Sequence, residues 1–257
     1  MVKVLILSGW ARGPVPALKN SLKEEHFELK ELKTWFPSIC WSLLFGGIIG
    51  CVVLITTDWP SATIESSALA WLCRFAVAGL CAILLRLVVI VAMRHSISMS
   101  VNIAKREIIA FQPDVLVGFS WGGAIAAFLM SRGLWAAETV MLSPSLKPMC
   151  RFAWLGIPRP PQADLASSTH IFLPNMDKLT PGWFEFGINF EGCKLHTLRD
   201  GHDLCQPKSI SEIVRCVREL SGDVIRSQSE MCKGSNSGTT PLAEAEQPSF
   251  QTIGNLN

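Results

Sequence analysis

The sequence predicts a three-layer α/β domain with a mostly parallel central sheet, interrupted by two transmembrane helices. Three observations predict it. Short apolar runs alternate with amphipathic helical patterns along most of the chain, which implies parallel strands with helices on both faces. Two long apolar runs break that alternation between residues 38 and 94. The composition fits such a mixture: 49% of the 257 residues are hydrophobic and 17% charged, with a mean hydropathy of +0.33, whereas an ordinary soluble domain is roughly 25% charged.

Val2 to Leu7 is a continuous apolar run, the pattern of a strand buried on both faces. Pro14 to Glu25 reads as a helix, with proline in its first turn and Val15, Leu18 and Leu22 on one face. Phe27 to Leu32 is a second strand. Ser38 to Thr57 is uncharged for 20 residues, about 30 Å as a helix, which matches a bilayer core. Leu69 to Met93 is the second span, with Arg74 and Arg86 each nearer an end than the middle, placed to snorkel towards its own interface. The loop between them has no Lys or Arg. Lys19, Lys23, Lys30 and Lys33 precede the pair, and Arg94, Lys105 and Arg106 follow it. The positive-inside rule then puts both flanks, and so both termini, in the cytosol. Helices buried in a soluble core and a hairpin re-entering one leaflet are the alternatives.

Beyond the apolar pair, Ile97, Val101, Ala104, Ile108 and Phe111 recur at three- to four-residue steps, a helix ended by Pro113. Val115 to Val117 is a strand and Gly122 to Ser131 a helix. Thr139 to Leu142, His170 to Leu173 and Lys194 to Leu198 are strands. Ser209-Ile-Ser-Glu212 reads as a capping box opening a last helix. The tail from Ser221 to Asn257 is polar and aperiodic, and is expected to be disordered. The chain thus divides into a discontinuous globular domain, 1–37 and 95–220, a hairpin, 38–94 (spans 38–57 and 69–93), and a tail, 221–257.

Charge and cysteine usage exclude several function classes. A net charge of +2 with a pI near 8.1 lacks the basic stripe of a nucleic-acid binder. The nine cysteines form no C-x-x-C pair, and their odd number argues for reduced thiols instead of a disulfide framework or a zinc site. The apolar start of the chain is too short for a signal peptide.

The chemistry concentrates in Gly118-Phe119-Ser120-Trp121-Gly122, a G-x-S-x-G turn between an apolar strand and a small-residue helix. A sharp strand-to-helix turn lifts Ser120 out of the sheet and needs Gly118 and Gly122, which lack side chains, at two removes. The helix N-terminus behind the serine favours a developing oxyanion. A nucleophilic serine needs a base, and the base an orienting acid. Of the five histidines, His202 alone sits in a turn after a strand, Arg199-Asp200-Gly201-His202-Asp203. Asp177, after the strand at 170–173, is the preferred acid, because Asp200 and Asp203 lie so close along the turn that their side chains point away from His202.

The order Ser120, Asp177, His202, each following a strand, resembles the α/β-hydrolase family, and its small lidless serine hydrolases in particular. The turn Asp177-Lys-Leu-Thr-Pro181 and the segment Gly201-His202-Asp203-Leu204 are similar to that family's acid and histidine loops. The resemblance implies an α/β-hydrolase sheet, a Ser120–Asp177–His202 triad and an oxyanion hole from the backbone N–H groups of Trp10 and Trp121. Ser8 stands where many members carry histidine before the glycine. No metal or organic cofactor is implied. The expected activity is hydrolysis of an ester or thioester, on a small-molecule or lipid substrate, by an integral membrane protein whose catalytic domain faces the cytosol. The lipid bilayer is the expected partner and nucleic acid is not. An acyltransferase with the same triad and a non-catalytic membrane scaffold on the same fold are the alternatives.

Overall fold

The computed structural model describes residues 1–9, 14–34, 38–56, 67–158, 166–176 and 192–234. Among these residues six strands form one sheet: β1 (Lys3–Ser8), β2 (Glu28–Lys33), β3 (Val115–Phe119), β4 (Glu138–Leu142), β5 (Thr169–Pro174) and β6 (Lys194–Leu198). Their order is β2-β1-β3-β4-β5-β6, and every neighbouring pair is parallel. The chain winds outward from β1 to β2, then returns past β1 and proceeds the other way. The carboxyl ends of β1 and β3 therefore flank a topological switch point, where such sheets hold their ligands.

Alternation along the strands builds the two cores. Leu5, Leu7, Leu116, Met141 and Ile171 face a layer formed by α3 (Ser67–Phe111), α4 (Trp121–Ser131) and α5 (Leu146–Ala153). Val4, Ile6, Val117, Phe119, Leu142 and Phe172 face the opposite layer, α1 (Val15–Glu24) and α6 (Pro207–Gly234). The apolar runs read from the sequence are thus strands covered on both faces.

The middle of the chain departs from the sequence expectation. The second span and the helix at 97–111 are one continuous α3 of 45 residues. No proline or glycine stands between Ala82 and Phe111 to break it. Val89, Met93, Ile97, Val101 and Ala104 are buried in the sheet's core. Trp71, Leu72, Phe75, Leu80, Ile83, Leu84 and Leu87 are exposed. The hairpin boundary at residue 94 therefore cuts through a helix whose last half belongs to the globular core. Helix α2 (Ser38–Thr56) packs against α3. Gly47 permits that approach, since a Cβ there would lie 2.3 Å from Leu85 Cδ2. Two spans are expected from sequence; among the described residues one helix, from Trp71 onward, is long and apolar enough to cross a membrane.

Arg86 does not run free to an interface. Its guanidinium donates to the carbonyls of Arg151 at 2.8 Å and Phe152 at 3.1 Å, and Arg94 donates to those of Ala153 and Trp154, both at 2.9 Å. Two cations thus satisfy the carbonyls left open at the C-terminus of α5. Helix α5 is not among the elements the sequence predicts; its Pro148 sits in the first turn, where proline is tolerated.

Helix α6 begins at Pro207, two residues before the expected cap at Ser209. Proline suits a first turn, and the Asp200 carboxylate accepts from Gln206 N–H at 2.9 Å, so the start is capped from the preceding loop. The helix runs on to Gly234, into the segment expected to be disordered.

Candidate functional site

Ser120 occupies the turn between β3 and α4 with φ 51° and ψ −110°, a conformation that L-residues rarely adopt. The surroundings hold it there. Its N–H donates to the Leu142 carbonyl at 2.8 Å, and its carbonyl accepts from Ser145 N–H at 3.0 Å and Ala124 N–H at 3.1 Å. The glycines are required by close backbone approach. A Cβ on Gly122 would lie 2.1 Å from the Leu7 carbonyl oxygen, and one on Gly118 would lie 2.7 Å from the carbonyl oxygen of Gly122.

The serine Oγ is 3.1 Å from His202 Nε2. The two residues are far apart in the chain and meet because β3 and β6 both end on one edge of the sheet. Both are about nine-tenths buried. The ring of Phe119 lies against the imidazole, centroids 5.7 Å apart. A second hydroxyl, Ser145 Oγ, is 3.0 Å from Ser120 Oγ. Sequence reasoning missed it, because Ser145 follows β4 in no recognisable motif.

Asp200, beside His202 in the same turn, holds backbone groups of its own loop. It is buried, and its two oxygens accept from Gly201 N–H at 2.7 Å and Gln206 N–H at 2.9 Å. That arrangement fixes the ends of the His202 turn. Asp177, the expected acid, and Trp10, one expected oxyanion donor, lie outside the described residues. Gly9, the residue before Trp10, abuts the elbow: a Cβ there would be 3.0 Å from Ser120 Cβ and 3.2 Å from Trp121 N. Trp121 opens α4 directly after the serine, so its N–H lies in the first turn of that helix, at the positive end of the helix dipole.

Burial perturbs titratable groups most strongly away from this edge. Burial, then Lys194 and His196, hold His170 down to about 4, so its ring is neutral at physiological pH. Burial pushes Cys216 up to about 12, with Glu219 adding. His196 is lowered, chiefly by burial. The sequence offers no local spacing that joins these three residues, which come from β5, β6 and α6.

No family model and no curated protein matches the chain. One similar solved structure is a predicted CIB-like hydrolase from Thermoplasma acidophilum. It is 13% identical, with 88% of this chain and 86% of that one covered and a TM-score of 0.39. So distant a likeness brings no activity across. The parallel sheet with its strained serine after a central strand is consistent with the α/β-hydrolase fold expected from the sequence.

Proposed function

We propose that this protein is a membrane-anchored serine hydrolase that transfers the acyl group of an ester or thioester to water. The observation that carries the reading is Ser120 Oγ at 3.1 Å from His202 Nε2, on a backbone held at φ 51°. Strain of this kind persists only where surrounding structure enforces it, and it collects at functional sites. In the proposed reaction Ser120 Oγ attacks the acyl carbon as His202 Nε2 takes its proton. The histidine then returns the proton to the departing alkoxide or thiolate, and water repeats the cycle on the acyl-enzyme. The Trp121 N–H stabilises the oxyanion, with Trp10 as second donor and Asp177 as the acid that orients His202.

The anchor is the α2–α3 pair. Strand β2 ends on the same edge of the sheet as β3, so the chain enters α2 from the catalytic side. From Ser67 to Leu85 α3 rises about 28 Å, close to the thickness of a bilayer core. From Trp71 to Leu84 its side chains are largely apolar and exposed, and Arg86 then begins the anchoring to α5. The helix pair would therefore hold the catalytic edge at the cytosolic face of a bilayer, where an acyl substrate is concentrated.

Labelling of membranes with a fluorophosphonate probe tests the chemistry. Covalent label on Ser120, lost in Ser120→Ala, is the expected result. A folded wild-type chain that takes no label points instead to a non-catalytic scaffold.

A further inference from the structure

Three potential metal ligands converge on β5, β6 and α6, apart from the serine–histidine pair. His170 Nδ1 on β5 lies 3.0 Å from His196 Nε2 on β6 and 2.9 Å from Cys216 Sγ on α6. All three atoms fall within 4.8 Å of one another. His170 and Cys216 are buried, while His196 is half-buried and leaves a path to solvent. The histidines are diagonal neighbours across the β5–β6 pair, where Phe172 is registered with His196. Phe172 stacks on the His196 ring at 4.4 Å, and the two imidazoles lie within 17° of parallel.

Hydrogen bonding alone serves this trio poorly. Nδ1 of His170 faces two partners and has either one proton or one lone pair to offer. The other nitrogen, Nε2, is buried with no hydrogen-bond partner among the described residues, so the ring's polar contact runs through Nδ1. A cation instead takes one lone pair from each of the three atoms at once. Two imidazole nitrogens and a sulfur are the donor set of zinc-class ions, with bonds of about 2.0–2.1 Å to nitrogen and about 2.3 Å to sulfur. The charges acting on the cluster are the acids Glu138, Glu212 and Glu219 and the bases Lys194 and Arg215, a balance that leans negative.

We propose that His170 Nδ1, His196 Nε2 and Cys216 Sγ bind one divalent cation of the zinc class. Binding displaces the Cys216 proton to solvent, forms three coordinate bonds and changes no oxidation state. Three protein ligands leave a fourth position for water on the His196 side. The placement gives the site a role. His196 lies in the strand that leads into the His202 turn, and Cys216 lies in the helix that follows it. The cation thus ties both stems of that turn to β5. The consequence for catalysis rests on the serine-hydrolase reading; the binding site does not.

Cobalt(II) titration of the full chain in detergent tests the site. The expected result is a thiolate-to-cobalt charge-transfer band that saturates at one equivalent and is displaced by zinc. Cys216→Ser should abolish the band, and His196→Gln should weaken binding at least tenfold. Added zinc should raise the thermal midpoint of the wild type and leave that of Cys216→Ser unchanged. His196→Gln, on an edge strand and half-exposed, keeps the test decisive if Cys216→Ser does not fold. A folded wild type without the band overturns the proposal, as does a band undiminished in a folded Cys216→Ser or in His196→Gln. Fluorophosphonate labelling of the same samples separates this failure from failure of the hydrolase reading.

Discussion

Adding a single methyl group at Gly122 tests whether close packing of the elbow against β1 sets the site. In Gly122→Ala the new Cβ would stand 2.1 Å from the Leu7 carbonyl oxygen and 2.6 Å from its carbon. Both are backbone atoms, so no side chain can swing aside. Ordinary contact begins at 3.4 Å, so β1 and the start of α4 must separate by about 1.3 Å. Overpacking of this kind costs about 1–3 kcal/mol, and misplacing a reacting group by about 1 Å costs about 10²-fold in rate. Gly122→Ala should therefore lower the thermal midpoint by several degrees and slow fluorophosphonate labelling about a hundredfold. Gly156→Ala is the control, since a Cβ there meets nothing within 4 Å. A Gly122→Ala protein that labels at the wild-type rate refutes the claim that close packing positions Ser120.

Ser120→Ala should abolish labelling, and His202→Gln should slow ester hydrolysis by roughly 10³-fold or more, with folding retained by circular dichroism. Asp200→Asn should forfeit one of two backbone hydrogen bonds to a buried carboxylate, about 1.5–3 kcal/mol, and so lower the thermal midpoint. Asp177→Asn should instead cut labelling with little change in midpoint; the reverse pattern would exclude Asp177 as the acid. Arg94→Met should release two carbonyls at the end of α5 and lower the midpoint by several degrees, an effect absent from the exposed Lys23→Met. A glycosylation acceptor placed between residues 58 and 66 should be modified in microsomes, and one after residue 240 should not; modification of both, or extraction by alkaline carbonate, contradicts the proposed topology.

Most of the fold was legible in the sequence because the four central strands, β1, β3, β4 and β5, are buried on both faces. Burial on both sides demands uninterrupted apolar runs, and Val2–Leu7, Val115–Val117 and Thr139–Leu142 could be located without knowing their neighbours. The elbow was legible for a similar reason: a strained turn tolerates only glycine at Gly118 and Gly122, and that requirement is written locally. Composition also marked the apolar stretch of α3. The site's second member was narrower ground, since His202 was chosen by elimination among five histidines.

What only tertiary structure decided depends on contacts between segments far apart in the chain. Helix α3 could not be seen as one element, because its first half is apolar all round and its second half amphipathic, and periodicity registers that change as a boundary. The role of Arg86 depends on α5, some 65 residues away, whose open carbonyls draw the guanidinium. The start of α6 was misplaced because its cap comes from Asp200 in a preceding loop and not from the helix's own Ser209. Ser145 reaches Ser120 only because β4 lies beside β3. The cluster of His170, His196 and Cys216 has no spacing signature, for it is assembled by strand pairing and by the docking of α6. Local sequence records the burial and backbone strain that each segment must bear. Which side chains meet is decided by the order of strands in the sheet.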